Sequence, residues 1–205
     1  MAIRVTVCIP THNRANFLGR SIRSLLNQTF SKNKFEILVV DDCSTDRSDL
    51  ILKTFKNDIR IIKNEIHEGL SKSLNKAILA SKGKYFLRID SDDYVSEDYL
   101  KFLYTTLDAN KDDFDAVKCD YDLVDDKEVF IKRCNSEKKP MGCGIIFKVD
   151  DLIKVGMYSE KKKIFEEIDL IQRLKNTKKF KIFRLPIPLY RYRMHTDNIT
   201  KNTKK

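Results

Sequence analysis

The chain has 205 residues, of which 41% are hydrophobic and 34% charged, with a formal charge of +10. That length can bury a full core as one domain, and the composition is that of a globular protein. No apolar run reaches the roughly 18 residues that a spanning helix needs, and the five cysteines (Cys8, Cys43, Cys119, Cys134 and Cys143) contain no C-x-x-C pair, which argues against a disulfide framework and against a structural zinc site.

Met1-Ala2-Ile3-Arg4-Val5 enters a strand pattern directly, without the layout of a secretory leader. A cytoplasmic protein is the expectation. Lysines are spread along the chain, which reads as a Lys-rich surface in preference to a nucleic-acid groove, and no nucleic-acid partner is expected. A positive field would still attract phosphorylated substrates or an anionic membrane surface.

In chain order, Arg4 to Ile9 alternates as a strand and is expected to stop at Pro10, ahead of the polar loop Pro10-Thr11-His12-Asn13-Arg14. Leu18, Ile22, Leu25 and Leu26 then share one helix face. Phe35 to Val40 is a second strand, running into Asp41-Asp42-Cys43-Ser44-Thr45-Asp46 and a short helix marked by Leu50, Ile51 and Phe55. A third strand covers Ile59 to Ile62. Leu70, Leu74, Ala77 and Ile78 define the next helix, with Gly83 placed to cap its end.

Tyr85 to Ile89 reads as a fourth strand, ending in Asp90-Ser91-Asp92-Asp93. Continued extension would put Asp90 and Asp92 on one side, where their mutual repulsion calls for a divalent cation or a basic partner. Mg²⁺ and Mn²⁺ suit such hard oxygen ligands; a solvated acidic turn is the plainer reading. Arg88 shares a strand face with Asp90, for an ion pair or for a phosphate contact.

Strands and helices alternate up to this point, which implies an α/β fold with a mainly parallel central sheet flanked by helices. Each polar cluster (10–14, 41–46, 90–93) follows a strand's carboxyl end, so the three should line one crevice. Neither G-x-G-x-x-G nor G-x-x-x-x-G-K-[ST] occurs. The second half is less regular: a helix over Glu97 to Leu107, a strand pair at Ala116–Leu123 and Glu128–Lys132, a loop over Lys132–Lys139, and a close-packed strand suggested by Gly142, Gly144, Ile145, Ile146 and Phe147. A helix opens at Phe165 with Glu166, Glu167 and Asp169 in its first turn, where acids suit the helix dipole. The chain closes with Phe180–Leu185, Tyr190–His195 and a basic tail.

These motifs, in this order, resemble the family 2 glycosyltransferases of the GT-A fold. The matching pieces are Val7 to Arg14, Val39 to Asp46, Asn75 to Gly83, Arg88 to Asp93, Glu166 to Leu170 and Leu189 to His195. The resemblance implies one glycosyltransferase domain over 1–205. Residues 1–95 would bind the nucleotide sugar and metal, 96–195 the acceptor, and 196–205 would be a flexible basic tail. It implies a nucleotide-diphosphate-sugar donor, foremost a UDP-sugar, and an acceptor that is a saccharide or a lipid-linked saccharide. Pro10, Thr11, Arg14, Asp41 and Asp42 would line the nucleoside pocket. Asp90, Ser91 and Arg88 would face the donor, Asp90 and Asp92 would hold Mn²⁺ or Mg²⁺ with His195 as a further metal contact, and Arg191 and Arg193 would approach the departing diphosphate. The family usually carries Glu-Asp at the acidic helix start, its Asp acting as base. Here the pair is Glu166-Glu167, so Glu167 takes that role with one extra methylene, Glu166 and Asp169 being the alternatives. The resemblance further implies inversion at the anomeric carbon, surface-polysaccharide, lipopolysaccharide or capsule synthesis, and peripheral contact with the inner face of the cytoplasmic membrane. Two other classes remain open on the residues alone: a nucleotidyltransferase acting on a sugar phosphate, and a non-catalytic basic module.

Overall fold

The computed structural model describes residues 2–161, 166–177 and 179–196. The strands are β1 (Val5–Thr11), β2 (Phe35–Asp41), β3 (Arg60–Lys63), β4 (Tyr85–Arg88), β5 (Tyr94–Val95), β6 (Ala116–Val124), β7 (Phe130–Cys134), β8 (Ile145–Lys148) and β9 (Ile182–Arg193). The helices are α1 (Ala15–Leu26), α2 (Ser48–Thr54), α3 (Leu70–Leu79), α4 (Tyr99–Ala109), α5 (Val149–Lys154) and α6 (Glu166–Thr177). One sheet runs in the order β3-β2-β1-β4-β8-β6-β9-β5, with β7 paired to β6.

The first half is parallel, as the strand–helix alternation requires: β3, β2, β1 and β4 all point one way. Beyond β4 the sheet is mixed. Strand β8 is antiparallel to β4 and β6, and β9 is parallel to β6. A short helix, α5, leads away from β8, so the second half does not repeat the βα unit.

Alternation along the strands explains the two cores. Val5, Val7 and Ile9 of β1 face Leu18, Ile22 and Leu25 of α1, whereas Cys8 faces the opposite layer with Leu74, Ala77 and Ile78 of α3. In β2, Ile37 and Val39 belong to the first layer and Leu38 and Val40 to the second. A strand covered on both faces must be apolar at every position, and each fully buried aliphatic side chain contributes about 1.5–3 kcal/mol. Leu170 and Leu174 bring α6 onto the α3 side, which carries the first turn of α6 toward the end of β4.

Several local expectations are corrected. Pro10 lies inside β1, past the last residue paired with β4, and the ladder with β2 continues to Thr11. Ala80, not Gly83, caps α3; Gly83 instead lets the chain cross β1, since a Cβ there would sit 2.6 Å from the Thr6 nitrogen. Strand β7 starts at Phe130 because Glu128 has φ 66° in the turn before it; the expected loop from Lys132 therefore begins as strand. Phe180–Leu185 and Tyr190–His195 fall largely in one strand, β9, which runs through Pro186. That proline lies in an irregularity of β9 opposite Asp120, where the register jumps from Leu185 to Pro188, a place where a missing N–H is tolerated. Phe165 and the tail from residue 197 lie outside the described residues.

Candidate active site

The carboxyl ends of β1, β2 and β4 meet at one edge, as the chain order demanded. Loop 10–14 and loop 43–46 are stitched together by Asn13, whose φ of 53° suits a residue that tolerates the left-handed region. Its Oδ1 accepts from the Thr45 and Asp46 backbone nitrogens at 2.8 and 3.2 Å. Its own N–H donates to Ser44 Oγ at 3.0 Å.

Asp41 at the end of β2 accepts from the Ser44 N–H at 3.1 Å. Asp42 is buried, and its carboxylate is the hub of the next loop. Oδ1 accepts from Asn64 Nδ2 at 2.7 Å and the Glu68 N–H at 2.8 Å; Oδ2 accepts from the Gly69 N–H at 2.7 Å and lies 2.9 Å from His67 Nδ1. Burial pushes the Asp42 carboxyl up, but these donors outweigh it and hold the group below the usual aspartate range. His12 Nδ1–H donates to the Asp42 carbonyl at 2.7 Å, and the His12 and His67 rings lie 4.1 Å apart at 34°. Thr11 is buried beside them, with a hydroxyl that meets no partner among the described residues. Asn64 and His67 escaped the sequence reading. A polar pair shortly before the helix-opening Gly69 was the available signal.

The acidic stretch after β4 is not extended. The strand ends at Arg88, and the Asp93 N–H donates to the Asp90 carbonyl at 3.1 Å, closing a turn in which Ser91 is buried. The turn nonetheless gathers the acids: ligand oxygens of Asp90, Asp92 and Asp93 lie within 4.8 Å of one another. Each carboxylate has its own partners. Arg88 grips Asp90 through Nε at 2.7 Å and Nη2 at 3.2 Å, and reaches Glu166 through Nη1 at 2.6 Å. Of the two sequence readings of Arg88, the structure shows the ion pair. Tyr190 OH accepts from the Asp90 N–H at 3.2 Å and donates to Asp93 Oδ2 at 2.6 Å, and the Arg193 N–H donates to Asp93 Oδ1 at 2.8 Å. Burial first, then the charges of Asp92 and Asp90, push the Asp93 carboxyl well up.

Asp92 has the loosest set of partners: His195 Nε2 at 2.9 Å and Arg14 Nε at 3.8 Å from its Oδ2. A carboxylate and an imidazole nitrogen flanked by two further acids form a donor set that fits Mn²⁺ or Mg²⁺. Asp92 and His195 are the residues that would hold the ion; Asp90 is already committed to Arg88. Arg14 stands beside Asp92, so it joins the acidic turn to loop 10–14.

Arg191 and Arg193 both make contacts within the protein. Arg193 is buried, with Nε on the Asp92 carbonyl at 2.9 Å, Nη1 on the Asp126 carbonyl at 3.1 Å and Nη2 on Glu128 at 2.9 Å. Arg191 Nη1 donates to the Pro188 carbonyl at 2.5 Å and sits 3.5 Å from Asp122. The Arg193 guanidinium braces the β6–β7 hairpin against the acidic turn.

Glu166 and Glu167 open α6 on the other side of Arg88. Glu166 is buried in its ion pair with Arg88. Glu167 is half-buried, packed over Gly142. Burial pushes its carboxyl up; its own backbone N–H opposes this, and the Glu166 charge adds to it. Asp169 is paired to Arg173 at 2.8 Å. Burial also pushes the Cys119 thiol up to about 12, which leaves it protonated and a poor nucleophile.

The glycosyl transferase family 2 model matches residues 6–183. The chain belongs to that family. Family membership decides against the nucleotidyltransferase and the non-catalytic module. The chain is 31% identical over 119 residues to poly(ribitol-phosphate) β-N-acetylglucosaminyltransferase TarS of Staphylococcus aureus, covering 57% of this chain and 21% of that protein. It is 32% identical over 150 residues to a poly(ribitol-phosphate) β-glucosyltransferase of Bacillus spizizenii, covering 62% and 24%. The chain thus spans only a fifth to a quarter of the length of these relatives. In structure it is similar to residues 1–349 of S. aureus TarS in complex with UDP-GlcNAc, with a TM-score of 0.85 at 22% identity over 99% of this chain and 62% of the other. A mannosyltransferase of Pyrobaculum calidifontis in complex with GDP-Man and Mn²⁺ superposes with a TM-score of 0.77 at 17% identity, covering 97% and 59%. The fold is GT-A, a mixed central sheet flanked by helices.

Proposed function

We propose that this chain transfers a sugar from a nucleoside-diphosphate donor, a UDP-sugar, to an acceptor hydroxyl with inversion, in the synthesis of a bacterial cell-surface polymer. The observation that carries the reading is the meeting of three groups at one sheet edge: the Thr11–Asp42 pocket, the Asp90–Asp92–Asp93–His195 cluster, and Glu167 across Arg88. The UDP-GlcNAc complex of a similar fold and the two poly(ribitol-phosphate) relatives support UDP and the polymer class. In this reading residues 1–95 hold the donor and 96–195 the acceptor, a saccharide or lipid-linked saccharide.

The nucleoside lies against Pro10, Thr11 and the His12–His67 pair, with the Asp42-anchored loop as its wall. The diphosphate lies toward Asp92, His195 and Arg14. A divalent cation bound there supplies positive charge for the leaving diphosphate, as Lewis-acid stabilisation worth several kcal/mol. Glu167 accepts the proton of the acceptor hydroxyl as it attacks the anomeric carbon from the face opposite the leaving group, a contribution of roughly 10²–10⁴-fold. A raised carboxyl pKa suits this role, because a stronger base drives the transfer better. Glu166 is less suited, since Arg88 holds its charge.

The same reading places the chain at an anionic bilayer, where lipid-linked acceptors reside. Val129, Phe130 and Ile131 are 59, 58 and 49% exposed at the β6–β7 hairpin, with Lys127 and Lys132 on either side. Vesicles containing phosphatidylglycerol should retain the protein better than neutral ones, and Phe130→Ser should weaken retention; equal retention by both vesicles rejects this part.

Calorimetric titration of UDP, GDP, CDP and dTDP, each with and without Mn²⁺, tests the main reading. Tight, metal-dependent binding of UDP that is lost in Asp92→Ala is expected. Failure of all four diphosphates to bind with metal would overturn it.

A further inference from the structure

Met141 to Gly144 forms a short bend entering β8, and its two glycines are there for different reasons. Gly144 has φ 74°, a conformation that strains an L side chain, whereas the nearest atom to a Cβ there is the flexible Met141 Cε. Gly142 is not among the residues with positive φ, so its backbone accepts an L side chain. What a methyl on Gly142 would meet is Glu167: Cδ at 3.1 Å, Cγ at 3.2 Å and Oε2 at 3.2 Å. Those are the last two carbons and one carboxylate oxygen of a single side chain. The space left by Gly142 is therefore the space Glu167 lies in.

We infer that Gly142 is a positioning residue for Glu167, its bare backbone forming the floor on which the carboxylate rests at the acceptor side of the site. The inference rests on the reading of Glu167 as base. Glu167 is placed from two directions. Its chain neighbour Glu166 is pinned by Arg88 at 2.6 Å, which fixes the start of α6. Gly142 then decides how the longer Glu167 side chain folds back over the β8 approach. Contacts of 3.1–3.2 Å are tight but not prohibitive, so an alanine at 142 would swing the carboxylate by a few tenths of an ångström and leave the fold in place. Catalytic geometry is sensitive on that scale, since about 1 Å of misplacement can cost 10²-fold. Shortening the side chain with Glu167→Asp withdraws the carboxylate from residue 142 and should remove the dependence on glycine.

The test is a double-mutant cycle of Gly142→Ala and Glu167→Asp. Turnover is read as nucleoside diphosphate released from whichever of UDP-GlcNAc, UDP-glucose and GDP-mannose is used fastest. Melting temperature and the ¹³C titration of the Glu167 carboxyl are read alongside, the latter needing no donor. Gly142→Ala is expected to lower kcat about fivefold to tenfold, to leave donor KM and Tm unchanged, and to move the Glu167 titration upward as the methyl displaces water. In the Glu167→Asp background the same alanine should change kcat less than twofold. If Gly142→Ala does not fold, Glu167→Asp should restore folding to it. The inference is overturned by an unchanged kcat and titration in Gly142→Ala, by equal losses in both backgrounds, or by a folding defect that Glu167→Asp leaves in place. Glu167→Gln separates the two claims: full turnover in that variant removes the base assignment itself, whereas an inactive Glu167→Gln beside a silent Gly142→Ala removes only the positioning role.

Discussion

Replacing Arg88 with methionine should destabilise the protein by about 3 kcal/mol, and the structure shows where that loss falls. The Arg88 side chain is 8% exposed and bridges Asp90, 29% exposed, and Glu166, 7% exposed. Methionine fills much of the same volume but leaves the Glu166 carboxylate buried without a cation. Breaking a buried pair in this way costs about 3–5 kcal/mol, most of it the stranded charge. The more exposed Asp90 adds little, because water screens it. Guanidinium denaturation of wild type and Arg88→Met, analysed for midpoint and slope, gives the difference. Adding Glu166→Gln removes the stranded charge, so the double variant should be more stable than the sum of the singles, with a coupling of about 1–3 kcal/mol. Arg88→Met should also weaken metal-dependent UDP binding, because the Asp90 carboxylate loses both hydrogen bonds from Arg88 and the turn its link to α6. A loss below about 1 kcal/mol at unchanged slope, or strict additivity with Glu166→Gln, would refute the argument that this ion pair joins the acidic turn to α6.

Glu167→Gln should lower kcat by at least about 10²-fold with donor binding intact. In the wild type kcat should fall with acid through a pKa above the ordinary glutamate value of about 4.3, because the raised carboxyl takes up its proton earlier and a protonated Glu167 cannot accept another; a pH–kcat profile reads the midpoint. Asp42→Asn should cost about 2 kcal/mol, since its amide NH₂ would face N–H donors that now meet a carboxylate oxygen, and it should weaken UDP binding in calorimetry. The folded pKa of Asp42 is depressed, so its stabilisation is fully present above the ordinary aspartate value of about 3.9 and is lost as pH falls through the lower folded value; urea denaturation across that range should be flatter in Asp42→Asn. Gly83→Ala should lower stability by about 2 kcal/mol through overpacking against the β1 backbone, seen as a Tm about 6 °C lower for a domain of this size.

Much of the fold's first half was readable because one physical rule governs it. Strands such as Val5–Thr11 are covered on both faces by helices, and an apolar run followed by a period-3.6 stripe has few other solutions. The meeting of Asp42, Asp90 and Asp92 followed from that topology alone, since parallel strands share one carboxyl edge. The second half resisted because β6 pairs with β9, and β4 with β8, across roughly 60 residues, and nothing local to Ile145 or Ile182 states its neighbour. The same limit explains the site residues. Arg88, Arg191 and Arg193 are chemically alike in sequence, and each suits a phosphate; only the fold shows Arg88 between two carboxylates and Arg193 on the Asp92 and Asp126 carbonyls. Glycines are the extreme case. Gly83 and Gly142 carry no side chain whose chemistry could be read, and their reasons lie in what would occupy the space beside them, the Thr6 nitrogen for one and the Glu167 carboxylate for the other. The acids of this site could therefore be found from their spacing, but the groups that set their charge and aim are cations and glycines whose partners, as Arg88 with Glu166, can lie far away in the chain. Substitutions at Arg88 and Gly142 consequently probe the site more sharply than further changes to the acids themselves, because they alter the placement of a carboxylate without removing it.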